Sequence, residues 1–290
     1  MVQEGRLKTL RTGGYEIDLV DDGLFGLDGG SMFGIVPRHA WARLMPPDEA
    51  NRVDMALRAV LVRGGGRVIL IDAGIGNKIP KKLAARMNIR RDEGTPGKLR
   101  ALGIGPGDIT DVIATHLHFD HAGGLTTQVG CEIILTYPNA RIHVQRACLE
   151  WARRPSEKDA ASFMAHDVEP LVGSPNLHLL DGDCEVLPGI RVISTNGHSP
   201  GTQVVVVSHQ PSPSFAFLSD LVSTVHHLRL PYIAAFDVAP LDTLNEKKRV
   251  LSQAVDEGWI VCFPHDTNTP ACTLAKNEKG EVVARNKVAL

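Results

Sequence analysis

The stretch Thr115-His116-Leu117-His118-Phe119-Asp120-His121-Ala122-Gly123-Gly124 constrains this chain more than any other. It follows an apolar run, Asp111-Val112-Ile113-Ala114, that reads as a buried strand. A strand ending in three imidazoles and a carboxylate delivers four metal-binding groups to one point. Crowding them there without a cation is electrostatically costly. Imidazole and carboxylate suit zinc, iron or manganese rather than calcium. What else converges on that strand end decides the size of the site.

Three more candidates stand downstream, each closing an apolar segment. His198 follows Val192 to Gly197, Asp220 follows Phe215 to Ser219, and His265 follows Ile260 to Pro264. Strand ends that feed loops are where a rigid scaffold places its chemistry. Read singly, His265 could be a core histidine, and Asp220 could cap a helix beginning at Leu221. Read with the cluster, they make five histidines and two aspartates, enough for two metals sharing one carboxylate.

The chain has 290 residues, 43% of them hydrophobic, ample for one large core, and no clear linker or repeat divides it. Residues 1–290 are therefore expected to form one domain. The net charge of -2 lacks the basic excess that phosphate binding requires, so no nucleic-acid partner is expected. The five cysteines are odd in number and widely spaced, which fits a reducing compartment. Met1 to Arg6 carries no apolar signal core, and no apolar run approaches the roughly 20 residues of a membrane span. A cytoplasmic protein without membrane contact is the expectation.

Patterning predicts a strand over Tyr15 to Val20 and a hairpin of Ala56 to Val62 with Arg67 to Asp72 around Gly64-Gly65-Gly66. Helices are predicted at Lys81 to Met87, Lys98 to Leu102 and Arg146 to Arg153, with a strand at Ala140 to Gln145. The second half adds β-rich segments at Ile190 to Thr195, Gln203 to Ser208 and Ser214 to Leu218. A helix over Thr243 to Glu257 and a short strand over Trp259 to Phe263 close the pattern. Strands mixed with helices in both halves suggest sheets covered by helices. Residues 23–50 mix bulky apolar side chains with glycines, a poor pattern for helix or strand. They are expected to form an apolar loop that lines a pocket, meets a second subunit in a homodimer, or packs on its own core.

The ordered motifs resemble those of the metallo-β-lactamase superfamily of binuclear hydrolases. The resemblance rests on His116-x-His118-x-Asp120-His121, Gly197-His198-Ser199-Pro200-Gly201, Ser219-Asp220 and Pro264-His265, with Asp72-Ala73-Gly74 matching an early turn. It covers about residues 15 to 270. It implies an α/β fold, the four-layer αββα sandwich of two mixed β-sheets flanked by helices, with the site at one edge. It places His116, His118 and His198 on one metal, Asp120, His121 and His265 on the other, and Asp220 between them. Zinc is the expected metal, with iron, manganese or cobalt as alternatives. A water activated between two such ions could attack a carbonyl or phosphoryl centre, with Asp120 also shuttling a proton. Asp72 is expected either to orient a ligand histidine or to stabilise its turn.

Among branches of the superfamily, the chain looks closest to the lactonases and the methyl-parathion-hydrolase-like enzymes. It departs from N-acyl homoserine lactonases in carrying Ser223 where those commonly carry a tyrosine, and Asn196 where the family has a proline. The resemblance implies hydrolysis of a small uncharged ester: a lactone, an aryl ester or an organophosphate triester. A β-lactam or thioester on the same frame, or iron redox chemistry, are the alternatives. The expected substrate pocket is apolar, with Phe25, Met32, Phe33, Trp41 and Leu230 as walls and His226, His227 and Tyr232 beside the substrate.

Overall fold

The computed structural model describes residues 9–209 and 212–290. The Met1 to Arg6 stretch lies outside the described residues. The strands are β1 (Leu10–Thr12), β2 (Tyr15–Asp28), β3 (Arg52–Gly64), β4 (Arg67–Ile71), β5 (Asp111–Ile113), β6 (Thr126–Val129), β7 (Glu132–Leu135), β8 (Arg141–Gln145) and β9 (Leu177–Leu180) in the first half. The second half holds β10 (Cys184–Leu187), β11 (Ile190–Thr195), β12 (Thr202–His209), β13 (Ser212–Phe217), β14 (Ile260–Cys262), β15 (Ala271–Lys276) and β16 (Val282–Lys287). Two seven-stranded sheets result, in the orders β1-β2-β3-β4-β5-β8-β9 and β10 through β16, with β6 and β7 as a separate hairpin.

Both sheets are mixed. Strand β5 lies parallel between β4 and β8, and β14 is parallel to β13, while the hairpin neighbours are antiparallel. The α-helices are α1 (Gly29–Phe33), α2 (Arg38–Trp41), α3 (Lys81–Arg86), α4 (Gly94–Ala101), α5 (Phe119–Ala122), α6 (Arg146–Arg153), α7 (Ala165–Val168) and α8 (Pro240–Asp256).

Alternation along the strands explains the layering. In β12, Val205 and Val207 face the first sheet, joining Ile17, Val60, Ile69 and Ile113 in the inter-sheet core. Val204 and Val206 face the other way, against Val250, Leu251 and Ala254 of α8. On the far side of the first sheet, Leu70, Val112 and Ile142 pack on Leu99 of α4 and on Cys148 and Leu149 of α6. A sheet apolar on both faces must be covered on both, so the order helix, sheet, sheet, helix follows from the pattern. Among the described residues no helix is long and apolar enough to cross a membrane.

The expectation of an apolar loop over residues 23–50 is corrected. Residues 23–28 continue β2 and nine more form α1 and α2, while residues 34–37 and 42–50 remain outside helix and strand. The glycines that argued against a strand serve a bulge and a close crossing. The β2–β3 register shifts between Asp21 and Gly23, and Gly23 sits at φ +138°. A Cβ there would lie 2.7 Å from the Arg90 carbonyl oxygen. Without one, Leu24 and Arg90 exchange backbone hydrogen bonds of 2.9 and 2.8 Å. A glycine inside a strand marks such an approach.

Candidate metal centre

Strand β5 ends one residue before Ala114, and its exit is pinned on two sides. The Ala114 N–H donates to the His143 carbonyl at 3.0 Å, and the Gln203 side chain donates to the Ala114 carbonyl at 2.8 Å. The chain then turns through His116 and His118 into α5, which carries Asp120 and His121. The turn after β4 supports this segment. Gly124 donates its N–H to the Gly74 carbonyl at 2.9 Å, and a Cβ on Gly124 would fall 2.0 Å from the Ala73 carbonyl oxygen. Only glycine allows that contact.

The second sheet contributes from three separate exits. His198 follows β11, Asp220 sits in the turn Ser219–Leu221 after β13, and His265 follows β14. Ser219 holds φ +51°, uncommon for a residue with a side chain, and this turn carries Asp220. The structure brings all seven expected ligands together. His116, His118, His198 and Asp220 form one group and Asp120, His121 and His265 another, with the donor atoms of each within 4.8 Å of one another. Asp220 faces both groups. Its Oδ2 lies 3.3 Å from His198 Nε2 and 3.4 Å from His121 Nε2, and its Oδ1 lies 3.0 Å from His265 Nε2.

The outer nitrogens fix which inner nitrogens are free. His265 Nδ1 lies 2.7 Å from the Ala56 carbonyl oxygen, which can only accept, so that nitrogen carries the proton. His121 Nδ1 donates to Asp72 at 2.8 Å and His198 Nδ1 to Asp237 at 2.8 Å. In the neutral form that a metal requires, the Nε2 atoms of these rings present bare lone pairs. Those of His121 and His265 face each other at 3.2 Å, and His198 Nε2 faces His118 Nδ1 at 3.1 Å. His116 Nε2 is buried with no hydrogen-bond partner. Facing lone pairs with two carboxylates beside them repel unless cations stand between them. This donor set fits divalent transition metals.

The electrostatics divide the rings: His116 and His118 are lowered, whereas His121 and His198 are raised because neighbouring carboxylates outweigh burial. Burial, reinforced by neighbouring imidazoles, pushes His116 and His118 well below the usual imidazole range. Burial also acts downward on His121, but Asp120, Asp220 and Asp72 outweigh it and hold that ring well above the usual range. Asp220 is raised by burial and lowered further by His265, His121 and His198, which keep it a carboxylate well below the ordinary range.

Asp72 contacts both the His121 ring and the segment that follows β5. Besides His121, its carboxylate accepts the Thr115 N–H at 2.7 Å and the Thr115 hydroxyl at 2.9 Å. Asp237, absent from the expected site, does the same work for His198 and accepts the Thr243 hydroxyl at 2.7 Å. It stands in a loop with no apolar strand before it, so no pattern marks it. The Ala56 carbonyl is a main-chain group, which a sequence cannot mark.

Above the ligands lies a cavity of about 460 Å³, with His118, Asp120, His198, Asp220 and His265 at its floor. Phe25 and Met32 line it as expected, joined by Leu27, Leu83, Met87, Phe119, Ala234 and Phe236. The other six residues expected around this pocket are corrected. Phe33 and Trp41 are buried behind the wall, stacked at 5.5 Å with rings 1° from parallel. On the short helix α1, Met32 and Phe33 point to different sides, and Met32 takes the pocket side. His227 stacks on Phe33 at 4.9 Å and donates from Nε2 to the Met32 carbonyl at 2.9 Å, so it braces the wall from behind. Burial pushes it down to about 4. His226 is half-buried and does not line the cavity, and Leu230 and Tyr232 line a different one.

The family model of the metallo-β-lactamase superfamily matches residues 58–265, well over half of the chain. The protein belongs to the metallo-β-lactamase superfamily. An N-acyl homoserine lactonase of Bacillus thuringiensis is 32% identical over 170 residues, 58% of this chain and 60% of that protein. The lactonase AttM of Azorhizobium caulinodans is 27% identical over 61% of this chain and 66% of its own. The chain thus spans about three fifths of the length of the first of these curated relatives. Among solved structures, a probable metal-dependent hydrolase from Staphylococcus aureus superposes with a TM-score of 0.85 at 25% identity, over 96% of this chain and all of the other. AidC, a dizinc quorum-quenching lactonase, superposes with a TM-score of 0.81 over 98% of each chain, and at 19% identity it speaks for the fold alone.

Proposed function

We propose that this superfamily member is a metal-dependent hydrolase of small uncharged esters, with lactones as the favoured class. The observation that carries the reading is the cavity: an apolar chamber whose floor is a buried cluster of bare imidazole nitrogens and two carboxylates. The likeness to N-acyl homoserine lactonases supports the lactone choice.

His116, His118 and His198 would hold one divalent ion, Asp120, His121 and His265 a second, and Asp220 would touch both, with zinc as the metal proposed. When bound, such ions supply Lewis acidity and lower the pKa of a water to about 7. The chain's own residues do the rest. Phe25, Leu27, Met32, Leu83 and Phe236 exclude water and seat the apolar part of the ester. Asp120 Oδ2 stands 3.6 Å from both His121 Nε2 and His265 Nε2 and faces the cavity, placed to accept a proton and pass it to the departing alkoxide. Ser223 lines the cavity where the lactonases commonly carry a tyrosine, and donates to Asp220 Oδ1 at 3.1 Å. Its small side chain leaves room beside the ligands, which keeps phosphotriesters in the substrate class to be tested.

Purified protein with its metal content measured is to be assayed on an N-acyl homoserine lactone, an aryl ester, a phosphotriester, a β-lactam and a thioester. Turnover led by the lactone, lost in Asp220→Asn, is expected. Turnover led by the β-lactam or thioester replaces the ester reading, and full activity with fewer than two metals per chain removes the binuclear one.

A further inference from the structure

A second cavity, of about 730 Å³, lies apart from the metal centre and shares none of its lining residues. Three elements enclose it: the loop Leu228 to Tyr232, one face of α8, and the hairpin of β15 and β16. Its size is that of a small-molecule site, about 300–1,000 Å³. Leu228, Leu230, Leu251, Val282 and Val283 give it an apolar floor.

Its rim is cationic. Arg229, Lys248, Lys276 and Lys279 border it, against a single carboxylate, Glu281. Glu281 is already engaged, accepting from the Asn277 side chain at 2.8 Å. Among the described residues, none of the four cations forms an ion pair. The contrast with neighbouring basic residues is direct: Arg249 on the same helix pairs with Asp183 at 3.6 Å, and Arg191 pairs with Glu257 at 3.5 Å. Arg229 meets only a phenol, donating to the Tyr232 hydroxyl at 2.9 Å. An apolar trough with unmatched positive charge at its edge is complementary to a molecule with the opposite design, an aliphatic tail ending in an anion. The enclosure by three chain segments suits one narrow aliphatic chain.

We infer that the groove between α8, the Leu228–Tyr232 loop and the β15–β16 hairpin binds an amphipathic carboxylate of the fatty-acid type. The tail lies on Leu251, Val282 and Val283, and the carboxylate meets Lys248, Lys276 or Lys279 at the rim. The occupant presses on the loop whose continuation, Ala234 to Phe236, walls the metal cavity. The inference rests on the groove alone and stands whether or not the metal centre hydrolyses lactones.

The test is calorimetric titration of the metal-loaded protein with dodecanoate below its micelle threshold, at low and at 0.5 M salt. One saturable equivalent is expected, weakened by salt, with affinity at least tenfold lower in Lys276→Glu/Lys279→Glu. Lys248→Glu, on the exposed face of α8, should lower it as well, and decides the matter alone if the double variant fails to fold by its thermal melt. No saturable binding to the wild-type protein overturns the inference. So does unchanged affinity in the charge-reversed variants, which would place dodecanoate in the metal cavity, and so does equal affinity for uncharged 1-dodecanol.

Discussion

Four candidate ligands reach the candidate metal centre from the end of one strand, β5, and three from the ends of β11, β13 and β14, one apiece. The first sheet therefore concentrates its contribution and the second disperses it. Support differs in the same way. One carboxylate, Asp72, reaches both Thr115 and His121, and the Gly74–Gly76 turn presses against Gly123 and Gly124. In the second sheet each ligand has its own brace: Asp237 for His198, Ser223 for Asp220 and the Ala56 carbonyl for His265. A concentrated delivery depends on one turn. A dispersed one depends on the register of a whole sheet.

The comparison meets at Asp220, the residue that faces both groups, so its loss should have the largest effect. Asp220→Ala is expected to lower ester turnover by about 10³-fold or more, the loss of several kcal/mol of charge stabilisation. Metal analysis should show both ions weakened; retention of two tightly held ions would mean Asp220 bridges nothing. Next come the braces. Asp72→Asn and Asp237→Asn should each weaken zinc affinity by about 10–100-fold in chelator competition. Asp72→Asn should act on the Asp120, His121 and His265 group, and Asp237→Asn on the His116, His118 and His198 group. Equal effects on both groups would erase the distinction between the two sheets.

Smaller effects are expected from the glycines. A Cβ on Gly124 would meet the Ala73 carbonyl oxygen at 2.0 Å, and one on Gly197 would meet the Thr243 nitrogen at 2.2 Å. Each alanine variant should cost about 1–3 kcal/mol in denaturant unfolding. Gly124→Ala should also loosen metal at both groups, whereas Gly197→Ala should disturb only that of His198.

The smallest effect concerns Lys247, buried in α8 on the second-sheet side. Its ammonium donates to the carbonyls of Arg229 and Tyr232 at 2.8 Å and of Leu230 at 3.3 Å, while burial pushes it down to about 7. A base lowered on folding binds fewer protons folded than unfolded between that value and its ordinary one, so its contribution to stability grows as pH rises through that window. The melting-temperature gap between the wild-type protein and Lys247→Met should move in favour of the wild type from pH 7 to pH 9. A gap that moves the other way would show the ammonium to be favoured by the fold.

The same asymmetry governs what could be read from the chain. The β5 cluster is visible because its candidate ligands sit together in sequence; β5 is visible from the run Val112 to Ala114, and β8 from Ile142 and Val144 alternating with polar residues. His198, Asp220 and His265 carry meaning only in the company of that cluster. Asp237 and the Ala56 carbonyl are invisible, one lying in a loop without a pattern and the other being backbone. Residues 23–28 hide their strand, because glycines that accommodate Arg90 and Met87 look like glycines that break one. Phe33 and Trp41 show that an apolar residue near a pocket is as ready to pack behind its wall as to form it. The hairpin of β15 and β16 carries too few large apolar residues to announce itself, yet it walls the second cavity.

The walls of the metal cavity have a further consequence. Phe25 to Met32, Leu83 to Met87 and Ala234 to Phe236 belong to segments that supply no ligand. Replacements there can reshape the chamber while the floor of candidate ligands stays intact. The architecture thus separates a heritable engine from an exchangeable mould, so descendants of one ancestor can diverge in diet without reinventing their chemistry.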